Sequence, residues 1–179
     1  MHVRDATEED LEAITELYNA LIPTTTVAWR DDPTTLDEQA RALAGRQAAG
    51  YPTLVAEEEG EVVGFTCVTT FRGDRFPGYR HTAELTVHVR GDRHSQGIGS
   101  TLIEALVERA AAIDLHVLVA AVDADNEPSI RFHETLGFTV VARMPEVGRK
   151  FDRWLTLVLL QRIIDEPGAR VRADPRSRS

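Results

Sequence analysis

The sequence Arg93-His94-Ser95-Gln96-Gly97-Ile98-Gly99-Ser100-Thr101-Leu102 constrains the fold more than any other stretch of the chain. It follows the alternating run Leu85-Thr86-Val87-His88-Val89, which is typical of a β-strand, and it leads into apolar residues at helical spacing. A strand, a turn with two glycines and a helix start leave backbone N–H groups free at the positive end of a helix dipole. This arrangement indicates either a site for a phosphate-bearing ligand or a tight turn that binds nothing.

A second motif lies downstream and reads Asn126-Glu127-Pro128-Ser129-Ile130-Arg131-Phe132-His133-Glu134-Thr135-Leu136-Gly137-Phe138. The two motifs at this separation resemble those of the GCN5-related N-acetyltransferase (GNAT) superfamily, and the resemblance covers most of residues 3–162. In that family a loop of the form (Arg/Gln)-x-x-Gly-x-(Gly/Ala) cradles the diphosphate of coenzyme A. This chain departs from the pattern at His94, which takes the place usually held by arginine or glutamine.

The order of the expected elements is two helices, strands, helix, strand, helix and strands, which alone supports an α/β or α+β domain with a mixed sheet. The resemblance implies the GNAT fold, a twisted mixed sheet with helices on both faces, in which a split between two parallel strands admits the pantetheine arm. It also implies acetyl-CoA as cosubstrate. The residues that it would contact are Val87, His88, Val89, His94, Ser95, Gln96, Gly97, Ile98, Gly99, Ser100, Asn126 and Ser129.

Periodicity and turn residues predict the individual elements. Helices are expected over residues 11–21, 36–48, from 98 onward and over 128–136. Strands are expected over residues 53–56, 62–68, 85–89, 116–122, 138–143 and 154–160. A hairpin turn is predicted at Glu59-Gly60 and another turn over residues 146–151.

Length and composition favour one domain with a sizeable core. The 179 residues include 29 acidic and 20 basic side chains, and a formal net charge of −9 argues against a nucleic-acid partner. No apolar run is long enough for a membrane span, no secretory segment is recognisable, and one cysteine allows no internal disulfide, so a cytoplasmic protein is expected. We predict a catalytic domain over residues 1–164 and a disordered, apolar-poor tail over residues 165–179.

Acetyl transfer to an amine needs a base for the amine proton, donors for the thioester oxygen and an acid for the departing thiolate. Glu84 opens the central strand and is the candidate base, because a hydrophobic cleft raises a carboxyl pKa. The alternative for Glu84 is a solvated glutamate at a strand end. His133 is the candidate acid, and its alternative is a half-buried helix histidine bonded to a backbone carbonyl.

Two other kinds of chemistry are not expected. Cys67 lies in an apolar strand without a neighbouring cation, so direct transfer in a ternary complex is favoured over an acetyl-cysteine. The six histidines show no metal-ligand spacing, and no metal is predicted. A P-loop is excluded because no Gly-Lys-Ser/Thr follows the glycines.

Residues 71–80 combine three arginines with three aromatic side chains in an acidic protein. Arginine binds carboxylate or phosphinate groups through paired N–H bonds, although these arginines also have acids nearby to balance. The stretch Phe76-Pro77-Gly78-Tyr79-Arg80-His81-Thr82-Ala83-Glu84 resembles the phosphinothricin and methionine sulfoximine acetyltransferase branch. That resemblance implies an acceptor site formed by Asp74, Arg75, Phe76, Arg80, Glu84 and Lys150.

The same branch is usually dimeric, which makes a homodimer the expected assembly. Trp29 and Trp154 are candidates for the interface or the pocket, with core packing favoured for Trp154. Two other functions stay open: acetylation of another small amine or a protein N-terminus, and a coenzyme A-binding regulatory module without turnover. The arginines of residues 71–80 argue against a cationic acceptor.

Overall fold

The computed structural model describes residues 1–73 and 75–164, and within these ranges it contains a mixed sheet of seven strands and four α-helices. The strands are β1 (His2–Asp5), β2 (Thr53–Glu58), β3 (Glu61–Thr70), β4 (Thr82–Val89), β5 (Val117–Asp123), β6 (Thr139–Lys150) and β7 (Arg153–Ile163). The helices are α1 (Leu11–Asn19), α2 (Leu36–Ala48), α3 (Ile98–Ala112) and α4 (Glu127–Thr135). The predicted tail over residues 165–179 and the predicted site residue Asp74 lie outside the described residues.

The sheet has the strand order β1-β2-β3-β4-β5-β7-β6, and β4–β5 is the parallel pair among the described strands. Helix α3 connects these two strands and packs Leu102, Ile103 and Leu106 on one face of the sheet. Helices α1 and α2 cover the other face, where Ile14 and Leu43 join a second core cluster. The predicted fold class, a mixed sheet with helices on both faces, is confirmed.

The parallel pair β4–β5 separates before either strand ends. Its register runs from Thr82 opposite Val117 to Leu85 opposite Ala120. Beyond that point β4 continues to Val89 and β5 to Asp123 without pairing to each other. The sheet therefore opens in its middle, and backbone groups of β4 that face β5 are available for other partners.

Side chains of β4 alternate between the two faces of the sheet. The His88 ring lies against Tyr18 of α1 at 5.5 Å and Phe65 at 5.2 Å between centroids, so even-numbered residues face α1. The Val89 side chain faces α3, since a Cβ added to Gly99 would lie 3.7 Å from its Cγ2. Glu84 consequently shares the α1 face with His88.

Several predicted elements agree with the structure and others do not. Helix α2 has the predicted bounds, and Glu59 and Gly60 form the predicted hairpin turn with φ of +52° and +84°. Strand β1 was not predicted, because four residues carry too little pattern and the strand forms by pairing with the β2 edge. No helix among the described residues is long and apolar enough to cross a bilayer.

The predicted turn over residues 146–151 is wrong. Strand β6 continues to Lys150, and the chain reverses at Phe151 and Asp152, both with left-handed φ. The turn-like residues before it instead form an irregularity, where the β6–β7 register shifts between Met144 and Gly148. The prediction that Trp154 packs in the core is also wrong, because this residue is 61% exposed.

Candidate active site

The cleft where β4 and β5 diverge has a volume of about 960 Å³ and opens on both faces of the sheet. On the α1 face it is lined by Glu84, Thr86, His88 and residues 26–29. On the α3 face it is lined by the loop before α3 and by the first turns of α4. The predicted base and most of the predicted cofactor contacts therefore meet in one cavity.

The loop into α3 has the geometry of an anion site. Gly97 precedes the helix with φ of +82°, and Ser95 also has a positive φ of 62°. The first amides of α3 precede the helix's own hydrogen bonds, and Thr101 is the residue that bonds back to the Gly97 carbonyl, at 3.0 Å. These amides sit at the positive end of a 15-residue helix, which favours a phosphate.

The two glycines serve different purposes. A Cβ on Gly97 would meet nothing within 4 Å, so its requirement is the left-handed backbone. A Cβ on Gly99 would lie 3.0 Å from Cζ of Phe132, so this glycine lets α3 pack against α4. Sequence reasoning assigned both to close approach of an anion, whereas the packing role of Gly99 depends on a residue 33 positions away.

The predicted loop contacts separate into two groups. His94, Ser95, Gly97, Ile98, Gly99 and Ser100 line the cleft. Gln96 is not part of its lining and donates from Nε2 to the Asp92 carbonyl at 3.4 Å. His94 uses its Nε2–H on the Val89 carbonyl at 2.9 Å, which leaves Nδ1 as its remaining ring nitrogen.

Arg93 and Asp123 line the cleft but were missed by sequence reasoning. The Nε of Arg93 is buried and has no hydrogen-bond partner among the described residues. Asp123 ends β5, and its side chain is 2% exposed. Its Oδ2 also has no hydrogen-bond partner among the described residues, although an Arg153 nitrogen lies 3.9 Å away as an ion-pair neighbour. The signals were present in the sequence, as an arginine beside the glycine loop and an aspartate closing an apolar strand.

At the start of α4, Asn126 accepts a hydrogen bond from the Ser129 amide at 3.2 Å as a helix cap. Both residues line the cleft, so the capping role is compatible with contact to a cofactor. Val87 and Val89 also line it, as predicted from β4. His88 is 7% exposed, and burial lowers its pKa to about 4, so its ring is neutral at pH 7.

Glu84 lies half-buried in the cleft wall on the α1 face. Burial raises the pKa of its carboxyl above the usual glutamate range, because desolvation disfavours the charged form. This environment suits a proton acceptor more than the solvated strand end that was the alternative.

His133 is 4% exposed and also lines the cleft. Its Nδ1 lies 2.8 Å from the Ser129 carbonyl, which only accepts, so Nδ1 carries the proton. Burial lowers the pKa of the ring, and the buried Nε2 has no partner among the described residues. At neutral pH Nε2 therefore presents a lone pair, and this tautomer does not supply the proton expected of a general acid.

The predicted acceptor residues do not all meet. Phe76 and Arg80 line a second pocket of about 180 Å³, and Thr82 also lines it. Thr82 lies on the α1 face of β4, as does Glu84 two residues later. Arg75 lies over the Phe76 ring at 5.9 Å and lines neither cavity. Lys150 is 3% exposed and lines neither cavity, and its Nζ donates to the backbone carbonyls of Ile22, Thr25 and Ala28.

Two further groups bear on the chemistry. Cys67 is 4% exposed, and burial raises the pKa of its thiol, which keeps it protonated and unreactive. Among the residues that the structure describes, no three His, Cys, Asp or Glu side chains come together as a metal site.

Comparison with known proteins places these features in context. Residues 14–138 match the model of the acetyltransferase (GNAT) family. The chain is 40% identical over 169 residues to the L-methionine sulfoximine/L-methionine sulfone acetyltransferase of Salmonella typhimurium, covering 94% of this chain and 98% of that protein.

Solved structures agree with the sequence comparison. The crystal structure of a ribosomal-protein-alanine N-acetyltransferase from Brucella melitensis has a TM-score of 0.88 and 39% identity, over 91% of this chain and 99% of that one. A GNAT superfamily phosphinothricin acetyltransferase from Sinorhizobium meliloti, in complex with AcCoA, has a TM-score of 0.87 and 30% identity, over 92% of this chain and 89% of that one.

Proposed function

Because this chain belongs to the acetyltransferase (GNAT) family, we propose that it moves the acetyl group of acetyl-CoA to the α-amine of a small amino-acid analogue. The chain is an acetyl-CoA-dependent N-acetyltransferase. The acceptors that its relatives suggest are methionine sulfoximine, methionine sulfone and phosphinothricin. The observation that carries the proposal is one cleft joining the free amides of α3 to the raised-pKa carboxyl of Glu84.

The residues of the cleft fit acetyl-CoA. The amides of Ile98, Gly99 and Ser100 suit its diphosphate, and the opening between β4 and β5 leaves β4 backbone groups for the amides of the pantetheine arm. When bound, acetyl-CoA supplies an activated acetyl thioester. His133 lines the same cleft, and its buried Nε2, which has no partner among the described residues, is suited to accept a hydrogen bond.

The chemistry that we assign to the chain follows from these positions. Glu84 accepts the proton of the acceptor ammonium, directly or through one water, because its pKa is raised toward the working pH. A β4 backbone N–H facing the opening polarises the acetyl carbonyl. With Cys67 buried on β3 and its thiol protonated, transfer is direct within a ternary complex. The acceptor nitrogen forms a bond to the acetyl carbon, the carbon–sulfur bond breaks, and coenzyme A leaves as its thiolate.

We place the acceptor on the α1 face, with its amine at Glu84 and its anionic group toward Arg80. The Arg80 pocket adjoins Glu84 through Thr82, and a guanidinium binds a carboxylate or phosphinate with charge-assisted hydrogen bonds. Arg75 lies over Phe76 and is the second candidate for this contact.

Replacing Arg80 with glutamine is expected to raise the acceptor KM by about 10- to 100-fold, the size of a lost charge-assisted bond. The KM for acetyl-CoA should stay within about twofold, because Arg80 lines only the smaller pocket. Thiol-release kinetics measure both, with Arg75→Gln compared in parallel. Arg41→Gln on exposed α2 is the matched control. Unchanged acceptor KM in both loop variants would remove the arginines from the acceptor site.

The same assay decides between the proposed acceptors. Phosphinothricin, methionine sulfoximine and methionine sulfone are compared with a polyamine and with a peptide that begins with alanine. The peptide is the second candidate, because the Brucella melitensis neighbour is a ribosomal-protein-alanine N-acetyltransferase. Preference for the peptide would overturn the amino-acid proposal. If none of the acceptors in the panel gave thiol release, a coenzyme A-binding module without turnover would be favoured.

We also propose that the chain forms a homodimer through the β6–β7 hairpin. Exposed apolar side chains concentrate there, and they are Val141 (53%), Met144 (43%), Val147 (48%), Phe151 (49%) and Trp154 (61%). A patch of this kind on a folded protein marks an interaction surface. A cytoplasmic location and the absence of a nucleic-acid partner stay predictions.

Trp154→Glu is expected to convert a dimer into a monomer in sedimentation velocity, because it places a charge in the apolar patch. Ile113→Glu is the matched control, since Ile113 is 40% exposed at the end of α3, far along the chain from the hairpin. A wild-type protein that sediments as a monomer at micromolar concentration would rule out the dimer.

A further inference from the structure

Lys150 is a buried ammonium group whose hydrogen-bond partners, among the described residues, are backbone carbonyls and not carboxylates. Its Nζ donates to the carbonyls of Ile22, Thr25 and Ala28 at 2.6, 2.8 and 2.6 Å. Three carbonyls engage all three N–H bonds, which only the protonated amine possesses. The strand end of β6 therefore holds a segment more than 120 residues earlier in the chain, as the separations of 122 to 128 positions show.

Gly148 makes the second contact between β6 and this segment. A Cβ at Gly148 would lie 2.1 Å from Cε3 of Trp29, so the indole rests directly on the glycine backbone. Gly148 and Lys150 are two residues apart in β6 and therefore lie on the same face of the strand. Together they fix both the carbonyls and the terminal aromatic ring of the segment, residues 22–29.

Few other contacts hold the part of the segment that reaches the cleft. Within the described chain, residues 26–29 form no hydrogen bond between backbone groups, and the Val27 amide donates to the Thr25 hydroxyl at 3.3 Å. Yet Thr26, Val27, Ala28 and Trp29 all line the large cleft. Their position therefore depends on Gly148 and Lys150 more than on regular secondary structure.

The wall that these residues form lies on the acceptor side. The α3 amides, Asn126 and Ser129 define the cofactor side of the cleft, whereas residues 26–29 share the α1 side with Tyr18, Glu84 and His88. A displacement of the wall would change the space around the amine acceptor without touching the loop into α3.

We propose that Gly148 and Lys150 are positioning residues that set acceptor specificity by holding residues 26–29 as the acceptor-side wall of the cleft. Lys150 then acts through the Ile22, Thr25 and Ala28 carbonyls. It does not bind the acceptor, which is the role that the sequence resemblance implied. This inference rests on the proposed acetyltransferase function and assigns a new role within it.

The test uses Lys150→Met, which keeps an unbranched apolar side chain out to the Cε position and removes the ammonium. The acceptor KM is expected to rise by at least about tenfold, while the Kd for acetyl-CoA, measured by calorimetry, stays within about twofold of wild type. A general loss of structure would move both constants, so this division identifies positioning of the acceptor wall.

Gly148→Ala disturbs the same wall without leaving carbonyls unpaired, and it remains informative if Lys150→Met fails to fold. It should displace Trp29 and raise the acceptor KM selectively, by about fivefold or more. Gly45→Ala is its matched control, because a Cβ at Gly45 meets nothing within 4 Å. An unchanged acceptor KM in folded Gly148→Ala, or an equal rise in the acetyl-CoA Kd, would overturn the inference. Failure of the proposed function would show differently, as absent turnover in the wild type.

Discussion

Replacing Glu84 with glutamine is expected to lower kcat by about 10²- to 10⁴-fold, the usual contribution of a positioned general base. Glutamine keeps the shape of the side chain but cannot take the ammonium proton. The Kd for acetyl-CoA should not change, since Glu84 lies on the α1 face and the phosphate loop on the other. Steady-state kinetics and calorimetry measure the two quantities.

The pH profile gives this variant a second signature. Burial raises the pKa of Glu84, and the base acts as the carboxylate, so wild-type activity rises as pH increases through that raised pKa. In Glu84→Gln this limb should disappear, and the residual rate should follow deprotonation of the free amine toward alkaline pH. The deficit therefore shrinks as pH rises. An unaltered profile would exclude Glu84 as the base.

The stability of the same variant separates catalysis from folding. A carboxyl whose pKa is raised in the folded state stabilises the protein relatively at low pH, and this contribution is lost as pH rises through the folded pKa. Removing the charge should therefore leave the thermal midpoint at pH 7 equal to or above that of wild type. Glu108→Gln, an equivalent change on the exposed side of α3, is the control for activity.

Replacing Gly97 with valine is expected to weaken acetyl-CoA binding by about 5- to 150-fold, which corresponds to about 1–3 kcal/mol of backbone strain. Gly97 has φ of +82°, a conformation that β-branched residues avoid, and open space around its Cβ position excludes a direct clash. The valine therefore acts by moving the first amides of α3 out of position. Isothermal titration with acetyl-CoA measures the loss.

The control for Gly97→Val comes from the same connection. Gly91 also has nothing within 4 Å of an added Cβ, but its φ is not left-handed, so Gly91→Val should retain affinity within about threefold. Gly99 is unsuitable for this test because its Cβ would press on Phe132 and affect folding. Equal affinity of Gly97→Val and wild type would refute the phosphate assignment of the loop.

The sequence predicted those parts of the fold that local chemistry determines. Helix α2 begins at a Thr35 cap that accepts the Glu38 amide and ends before Gly50, and both signals are visible in the sequence. It was predictable that Glu84 and the glycine loop line one cleft, because a single strand and its turn connect them. These features depend on contacts within a few residues.

The features that the sequence did not reveal depend on distant residues. The family resemblance implied that Lys150 belongs to the acceptor site, and its actual partners, three carbonyls more than 120 positions away, leave no pattern in the sequence. The tautomer of His133 follows from one bond to Ser129 and from burial by the rest of the fold. Trp154 was expected in the core, since hydrophobicity alone does not distinguish a buried side chain from an exposed one.

The early divergence of β4 and β5 has a consequence for the whole molecule. Between described residues, the halves β1–β4 and β5–β7 share a ladder of four residue pairs, from Thr82 to Leu85. A ligand that forms hydrogen bonds to both β4 and β5 across the gap takes the place of the missing strand pairing. Because it binds the folded chain, it raises the free energy of unfolding by an amount that grows with its concentration relative to its Kd. The thermal midpoint of the chain is therefore expected to rise with the concentration of such a ligand.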